Sequence, residues 1–239
     1  MNIYEVLKQD KNNIWYIDNN DKLDELFLVD INKPYKERKK FYKIDGIDNY
    51  IIRDCTDYPH FLNGSKNYKL IKKLVAKQEE LPDIGFPIGY YKKNDVIKGT
   101  IIPYYKDAIS LRKICYLYKN ELNTFYNHSD NGEENFICLL LDILELLNRM
   151  YNKEVMYVDI HYGNFLIWNN DVKVIDFEPG YVYFSDKLKW HYESILRNYS
   201  LLVGELCRRF GYKNILFPRQ ESFMETEYMV KSLRKRLER

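Results

Sequence analysis

Short runs rich in β-branched and aromatic residues divide the first hundred residues into predicted strands. Each run is bounded by turn residues, which is typical of antiparallel strands with short connections. One longer, lysine-rich segment, residues 66–81, has Tyr68, Ile71, Leu74 and Val75 on a single helical face. This part of the chain is therefore predicted to form a small sheet with one helix. The predicted strands are residues 24–31, 39–45, 49–55, 85–91 and 96–105.

A helical period of apolar residues dominates the second half of the chain. Residues 135–151 form a predicted amphipathic helix, and the polar stretch 128–135 before it supplies turn residues and negative charge suited to a helix start. Asp142 and Glu145 lie three residues apart on this helix, and we interpret them as solvated side chains, not as paired catalytic carboxylates. The apolar positions with period 3.6 are Phe136, Leu139, Leu140, Ile143, Leu146, Leu147 and Met150.

The stretch 157–177, YVDIHYGNFLIWNNDVKVIDF, combines two short apolar strands with three chemically useful polar residues. FLIW and VKVI read as a hairpin that turns at Asn169 and Asn170. Asp159 and Asn164 are five residues apart across a loop, and Asp176 follows the second strand. One carboxylate for an acceptor hydroxyl, then an amide and a second carboxylate for metal ions, is the polar set of a Mg-ATP phosphotransferase.

At these residues the chain resembles the protein-kinase-like superfamily, in particular the branch of aminoglycoside phosphotransferases and choline kinases. That branch commonly writes its catalytic loop as HGDLHxGN and its metal motif as IDxE or IDFG, and this chain has DIHYGN and VIDFE. The resemblance implies that Asp159 is the catalytic base or orients the hydroxyl, and that His161 lies beside the transferred phosphoryl group. It also implies that Asn164 and Asp176 hold magnesium.

The chain also departs from the family around the catalytic loop. Tyr157 and Val158 stand where relatives usually have His followed by Arg or Gly, and Glu178 replaces the glycine of DFG. Asn198 takes the position of an Asp that normally bonds to the backbone of the catalytic loop. We expect its amide to accept that bond.

The cations of the smaller lobe are unusual for the family. The connection at residues 32–38 contains no glycine, so Lys33, Lys36 and Arg38 are candidates to supply charge to phosphates. Arg53 stands where a Lys is expected, and no Glu occurs from residue 56 to 78. Arg53 is expected to reach the α/β phosphates or to pair with a carboxylate such as Asp176. The alternative is a surface cation at a strand edge.

Backbone groups of the hinge between lobes bind adenine in this family. The residues at the corresponding place in this chain, and thus the candidates to bind adenine, are Ile102, Pro103, Tyr104 and Tyr105. Pro103 has no N–H, which limits the residues that can donate to the base. The alternative is an ordinary strand end that leads into a helix.

Composition bears on the binding partners and on the cellular compartment of the protein. Lys plus Arg is 37 and Asp plus Glu is 35, so no strong net charge points to nucleic acid or a membrane. The four cysteines are scattered without a ligand-like pairing and are interpreted as reduced thiols. The N-terminus lacks the apolar core of a signal peptide, which favours a cytoplasmic protein.

Together these features predict an α+β, two-lobed protein-kinase-like fold. Residues 1–103 would form a smaller lobe with an antiparallel sheet and one helix, and residues 104–239 a truncated, mainly helical lobe. The predicted function is transfer of the γ-phosphoryl group of ATP, with magnesium, to a hydroxyl of a small molecule or an atypical protein substrate. The alternative is a pseudokinase, a nucleotide-binding or scaffolding module without catalysis.

Overall fold

The computed structural model describes ten stretches of the chain, and it divides the chain into two compact units. One unit comprises residues 1–106 with 177–179, and the other comprises residues 107–176 with 180–239. The fold is α+β, with small, mainly antiparallel sheets and several helices. The described residues are 14–15, 40–44, 47–54, 65–78, 80–93, 96–118, 120–177, 180–184, 189–212 and 223–238.

The first unit contains a five-stranded sheet with the order β1-β4-β5-β3-β2. Strands β2 to β5 pair antiparallel, as predicted, whereas β1 pairs parallel with β4. The sequence pattern did not indicate β1, because two residues are too few to show alternation. The predicted strand at residues 24–31 lies outside the described residues. The strands are Ile14–Trp15 (β1), Lys40–Ile44 (β2), Ile47–Asp54 (β3), Gly89–Lys93 (β4) and Val96–Pro103 (β5).

The single helix of the first unit, α1, spans Ser65–Lys77. Ile71 and Leu74 are fully buried and Val75 is half-buried, so the predicted apolar face is confirmed at these positions. The side chain of Tyr68 lies outside the described residues. The helix ends earlier than the predicted residue 81, because the Gln78 side chain donates to the carbonyl of Pro82 and closes a turn there.

Helices α2 to α6 form most of the second unit. The longest predicted helix is confirmed in α4, where all seven apolar positions of the period are buried. Asn131 caps its N-terminus, with its side-chain oxygen accepting from the N–H of Glu133 at 2.9 Å. The helices are Leu111–Leu117 (α2), Leu122–Phe125 (α3), Gly132–Asn152 (α4), Lys189–Phe210 (α5) and Phe223–Leu237 (α6).

The two acidic residues within α4 behave differently from each other. Glu145 is exposed, as predicted. Asp142 accepts a hydrogen bond of 2.5 Å from the hydroxyl of the buried Tyr126, so its interpretation as a merely solvated side chain was wrong. Burial, followed by this hydrogen bond, raises the pKa of the Tyr126 phenol. Asp142 therefore fixes a core tyrosine.

Two small antiparallel sheets complete the second unit. In the first, β8 pairs with β6 and β9, and in the second, β7 pairs with β10. The predicted hairpin is confirmed in β8 and β9, and both turn residues, Asn169 and Asn170, have positive φ (49° and 67°). Asn adopts this conformation more readily than most residues, which explains the NN turn. The strands are Ile109–Ser110 (β6), Val155–Tyr157 (β7), Phe165–Trp168 (β8), Asp171–Val174 (β9) and Val182–Phe184 (β10).

Three cysteines, Cys115, Cys138 and Cys207, are free thiols, while Cys55 lies outside the described residues. Burial is the largest influence on Cys207 and raises the pKa of its thiol to about 11. Among the described helices, none combines the length and the apolar character needed to cross a membrane.

Candidate functional site

The candidate site is built on the connection between two buried strands of the second unit. β7 ends at Tyr157, and β8 begins at Phe165. Between them the chain forms a single 3₁₀ turn, Tyr162–Asn164, whose Asn164 N–H donates to the carbonyl of His161 at 3.0 Å. Both ends of this short connection are anchored, so the backbone of Asp159, His161 and Asn164 is confined to one small region.

The amide of Asn164 organises this region. Its Nδ2 has two protons and three acceptors, so one proton is shared between two of them. Asp159 Oδ2 lies at 2.8 Å, the Asp159 carbonyl oxygen at 3.0 Å and the Tyr157 hydroxyl at 2.7 Å. The Tyr157 hydroxyl donates its one proton to the Ile175 carbonyl at 3.0 Å, so it can only accept from Asn164. This order of donors and acceptors fixes the amide orientation. The oxygen Oδ1 of Asn164 takes part in none of these bonds and remains available as a ligand.

Asp159 is oriented through one carboxylate oxygen. Oδ2 receives the Asn164 hydrogen bond and also lies 3.6 Å from His161 Nε2. The Asp159 side chain is 26% exposed, and that of His161 is 52% exposed. Asp159 is therefore held from one side and accessible to an incoming molecule from the other.

The ring of His161 folds back over its own turn. Its Nδ1 accepts from the Gly163 N–H at 3.1 Å, which places the ring proton of neutral His161 on Nε2, the nitrogen nearer Asp159. A Cβ on Gly163 would lie 2.8 Å from His161 Cε1 and 2.9 Å from Nδ1. A side chain at residue 163 would therefore force the His161 ring to move from its position over the turn.

Asp176 follows β9 in an uncommon backbone conformation. The preceding residue, Ile175, donates its N–H to the carbonyl of Asn164 at 2.9 Å, which ties the segment to the turn. Asp176 itself has φ 69°, in the left-handed region, and is half-buried. Such a conformation costs about 1–3 kcal/mol and is retained where surrounding structure enforces it.

Asn198 does contact the backbone of the loop, but with the opposite polarity from the one predicted. Its Nδ2 donates to the carbonyl of Val158 at 2.8 Å, so the expectation that its amide accepts was wrong. The Val158 N–H is already used, because it donates to the Tyr181 carbonyl at 2.9 Å. Only the carbonyl remained to be satisfied, and for this an amide is suited and a carboxylate is not.

Sequence reasoning missed the function of Tyr157. Tyr157 stands where the resembled family usually has His. It is fully buried and joins Ile175 to Asn164 through its hydroxyl. The available signal was a tyrosine at the end of a buried strand, since a buried phenol normally has a hydrogen-bond partner.

The candidate nucleotide-binding residues belong to the first unit. Arg53 lies in β3, an interior strand, and is only 5% exposed, so the alternative of a surface cation is excluded. Ile102 and Pro103 belong to β5, and the Tyr104 N–H donates to the Asn49 carbonyl at 2.8 Å. Ile102, two residues before Tyr104, pairs with Ile51 in the same β3–β5 ladder. Tyr105 lies beyond this pairing, and burial, followed by the charge of Asp83, raises the pKa of its phenol.

The remaining residues named from the sequence fall outside the described part of the chain. Lys33, Lys36, Arg38 and Glu178 lie outside the described residues. Within the ranges that the structure describes, no three His, Cys, Asp or Glu side chains are grouped to hold a metal ion. The set assigned from the sequence has a different composition, with one amide oxygen and one carboxylate. These are hard oxygen donors of the kind that magnesium prefers, and the unused Oδ1 of Asn164 fits this requirement.

No protein-family model matches this chain, and no curated protein matches it significantly.

Proposed function

We propose that this chain is an ATP-dependent phosphotransferase with a two-lobed protein-kinase-like fold, and that it acts on a hydroxyl group. The observation that carries the proposal is the bonding of Asn164 to Asp159, to Tyr157 and, through its carbonyl, to the N–H of Ile175 before Asp176. It gives three residues of the motif a common frame and leaves an amide oxygen available. A hairpin with ordinary polar turns has no need of that arrangement.

Asp159 has the geometry of a general base or hydroxyl-orienting group. Oδ2 is held by Asn164, so Oδ1 is the oxygen that would accept the proton of the acceptor hydroxyl. The hydroxyl oxygen then forms a bond to the γ-phosphorus, the bond from that phosphorus to the β–γ bridging oxygen breaks, and ADP leaves. The Nε2 of His161 lies 3.6 Å from Asp159 Oδ2, too far for a hydrogen bond, so its proton would be donated to an oxygen of the transferred group.

Asn164 and Asp176 would hold magnesium through Oδ1 and the carboxylate. Bound magnesium neutralises charge on the β and γ phosphates. The left-handed backbone of Asp176 and the Ile175 bond to Asn164 support this assignment, because they hold the segment that carries the carboxylate against the turn.

In the first unit, Arg53 and the end of β5 would bind the nucleotide. Arg53 is buried, and a guanidinium group can bind a phosphate through a bidentate contact. Of the four candidate hinge residues, Tyr105 is the one whose backbone N–H we expect to donate to the adenine ring. Pro103 has no N–H, and Ile102 and Tyr104 face β3 in the strand ladder.

A second candidate is a nucleotide-binding module without phosphotransfer. It is favoured by the composition of α1, SKNYKLIKKLVAK, which offers no carboxylate to hold Arg53. The helix therefore lacks the Glu that, in the resembled family, pairs with the phosphate-binding cation and aligns the phosphates for transfer. The unused oxygens of Asp159 and Asn164 argue for the first candidate.

Calorimetric titration of the full chain with ATP, in magnesium and in excess EDTA, tests the proposal. We expect binding that magnesium strengthens, with Arg53→Ala weaker by about 1.5–3 kcal/mol, the range for a charged hydrogen bond. Arg53→Lys should recover only part of this, because the fork of the guanidinium is lost. Lys69→Ala, at an exposed position on α1, is the matched control and should bind as wild type. Absence of ATP binding under both conditions would overturn the proposal.

A further inference from the structure

Two arginines and two tyrosines from three elements meet next to the 3₁₀ turn. Arg112 and Tyr116 come from α2, Tyr162 from the turn and Arg209 from the last turn of α5. We call these four residues the Arg–Tyr patch. None of them is used by the phosphotransfer chemistry described above.

Arg209 is held rigidly in the patch. Its Cζ lies 4.4 Å from the centre of the Tyr116 ring and 4.7 Å from that of Tyr162, which is cation–π geometry. One terminal nitrogen donates to both phenol oxygens, at 3.2 and 3.3 Å, and Nε donates to Glu205 at 2.6 Å. The two phenol oxygens are themselves 3.2 Å apart.

Arg112 differs from Arg209 in having unused hydrogen-bonding capacity. Its Nε is buried and has no acceptor among the residues that the structure describes. Its Cδ lies 4.0 Å from the position of a Cβ on Gly163, so the side chain packs against the turn. Its positive charge acts on the Tyr116 phenol, because Arg112 contributes to lowering the pKa of Tyr116, after the larger effects of the Tyr162 hydrogen bond and of Arg209.

The patch is positively charged and partly exposed to solvent. It contains two guanidinium groups, and the carboxylate bonded to it, Glu205, pairs with Arg209 and also with Arg208. Tyr116 is 44% exposed. Tyr162 directly follows His161 in the chain, so the patch adjoins the residues assigned to the acceptor. Guanidinium and phenol N–H and O–H groups are donors that recognise phosphate and carboxylate oxygens.

We propose that the Arg–Tyr patch binds an anionic group of the acceptor, so that the substrate is a small hydroxyl compound that also carries a phosphate or a carboxylate. Arg112 would form the main ion pair, and Tyr116 would donate a hydrogen bond. Arg209 would hold both phenols in position through its cation–π contacts and hydrogen bonds. The assignment of the bound anion to the acceptor substrate rests on the proposed function, but the anion site itself does not.

The first experiment measures the site without chemistry. Inorganic phosphate and acetate, the two probes, are titrated into the nucleotide-free full chain by calorimetry. We expect phosphate binding, and we expect Arg112→Gln to weaken it by about 10- to 100-fold, as for loss of a charged hydrogen bond. Tyr116→Phe, which removes only a hydroxyl, should weaken it less. The matched control is Arg208→Gln, which removes an exposed arginine of α5 that is paired with the same Glu205.

The second experiment uses transfer from γ-labelled ATP to matched acceptors, namely glucose and glucose 6-phosphate, and glycerol, glycerol 3-phosphate and glycerate. We expect anionic acceptors to be preferred, and Arg112→Gln to raise their KM while ATP binding is unchanged. The phosphate and carboxylate arms identify which anion the patch takes.

The outcomes separate this inference from the proposed function. Transfer to neutral acceptors that Arg112→Gln leaves unaffected would overturn the anion site and retain the kinase. Arg112-dependent phosphate binding without transfer to any acceptor would support the anion site and count against the kinase. Equal phosphate binding by wild type, Arg112→Gln and Arg208→Gln would overturn the patch as a binding site.

Discussion

At the scale of single residues, the site depends on which atom donates and which accepts. Tyr157 has one hydroxyl proton and gives it to Ile175, so its oxygen must receive the amide of Asn164. That order turns Asn164 so that Nδ2 faces Asp159 and Oδ1 remains available. The buried phenol of Tyr157 therefore determines the orientation of Asn164, the candidate metal ligand.

Tyr157→Phe tests this dependence. The change leaves the Ile175 carbonyl and the Asn164 amide each short of one partner in a buried place, so we expect the free energy of unfolding to fall by about 1–3 kcal/mol. It should also weaken magnesium-dependent ATP binding. Urea denaturation measures the first effect and calorimetry the second. Tyr228→Phe, at a highly exposed position, is the control, and equal stabilities of the two variants would contradict the account.

Asp176→Asn separates charge from backbone conformation. Asn tolerates positive φ, so the variant should keep its stability, whereas Asp176→Ala should lose about 1–2 kcal/mol because Ala disfavours the left-handed region. Both variants should lose the thermal stabilisation that Mg-ATP gives to the wild-type protein. Thermal shift with Mg-ATP and with ATP in EDTA measures this. A full magnesium-dependent shift in Asp176→Asn would contradict the metal assignment.

At the scale of elements, three pieces converge on the loop after β7. Tyr181, just before β10, accepts from the Val158 N–H, Asn198 of α5 donates to the Val158 carbonyl, and Ile175, just after β9, donates to the Asn164 carbonyl. The loop is thus held by backbone groups next to two strands and by a side chain of one helix. Its shape depends on all three elements being folded.

Asn198→Asp restores the residue usual in the resembled family, yet we expect it to be harmful here. A carboxylate cannot donate to the Val158 carbonyl, and it would place two acceptors 2.8 Å apart. The expected loss of stability is about 1–3 kcal/mol, more than for Asn198→Ala, which removes the bond without adding charge. Urea unfolding of the two variants decides the matter. If Asn198→Asp were the more stable of the two, the assigned direction of the hydrogen bond would be wrong.

The elements that sequence could predict are those with a strong local signal. The seven apolar positions of α4 repeat often enough to define its buried face, and the asparagine pair between β8 and β9 marks its own turn. Strand β1 has two residues and owes its existence to pairing with β4. The bond of Asp142 to Tyr126 likewise depends on tertiary packing, which no periodicity encodes.

Within the site, sequence motifs indicated which residues to examine, but the structure was needed to determine their bonding. The spacing of Asp159 and Asn164 led to the expectation that they face one place, and their side chains are hydrogen-bonded to each other. The donor role of Asn198 followed from the prior use of the Val158 N–H, which involves residues 23 positions away. The Arg–Tyr patch joins residues nearly a hundred positions apart and has no local signature.

At the scale of the whole molecule, the proposed phosphotransfer uses residues of both units. Arg53 and the end of β5 belong to the first unit, and Asp159, Asn164 and Asp176 belong to the second. The two sets have complementary assignments, nucleotide binding for the first, and acceptor and metal for the second. A phosphotransferase requires both sets, whereas a nucleotide-binding module requires no general base.

The most direct test is magnesium-dependent turnover of γ-labelled ATP by wild type and Asp159→Asn, measured as ADP release to water and as transfer to the hydroxyl panel. We expect wild type to turn over and Asp159→Asn to be slower by about two orders of magnitude or more, the usual scale for a general base. ATP affinity should be retained, because Asp159 addresses the acceptor. Undiminished turnover by the variant, or no turnover by wild type saturated with Mg-ATP, would contradict the account.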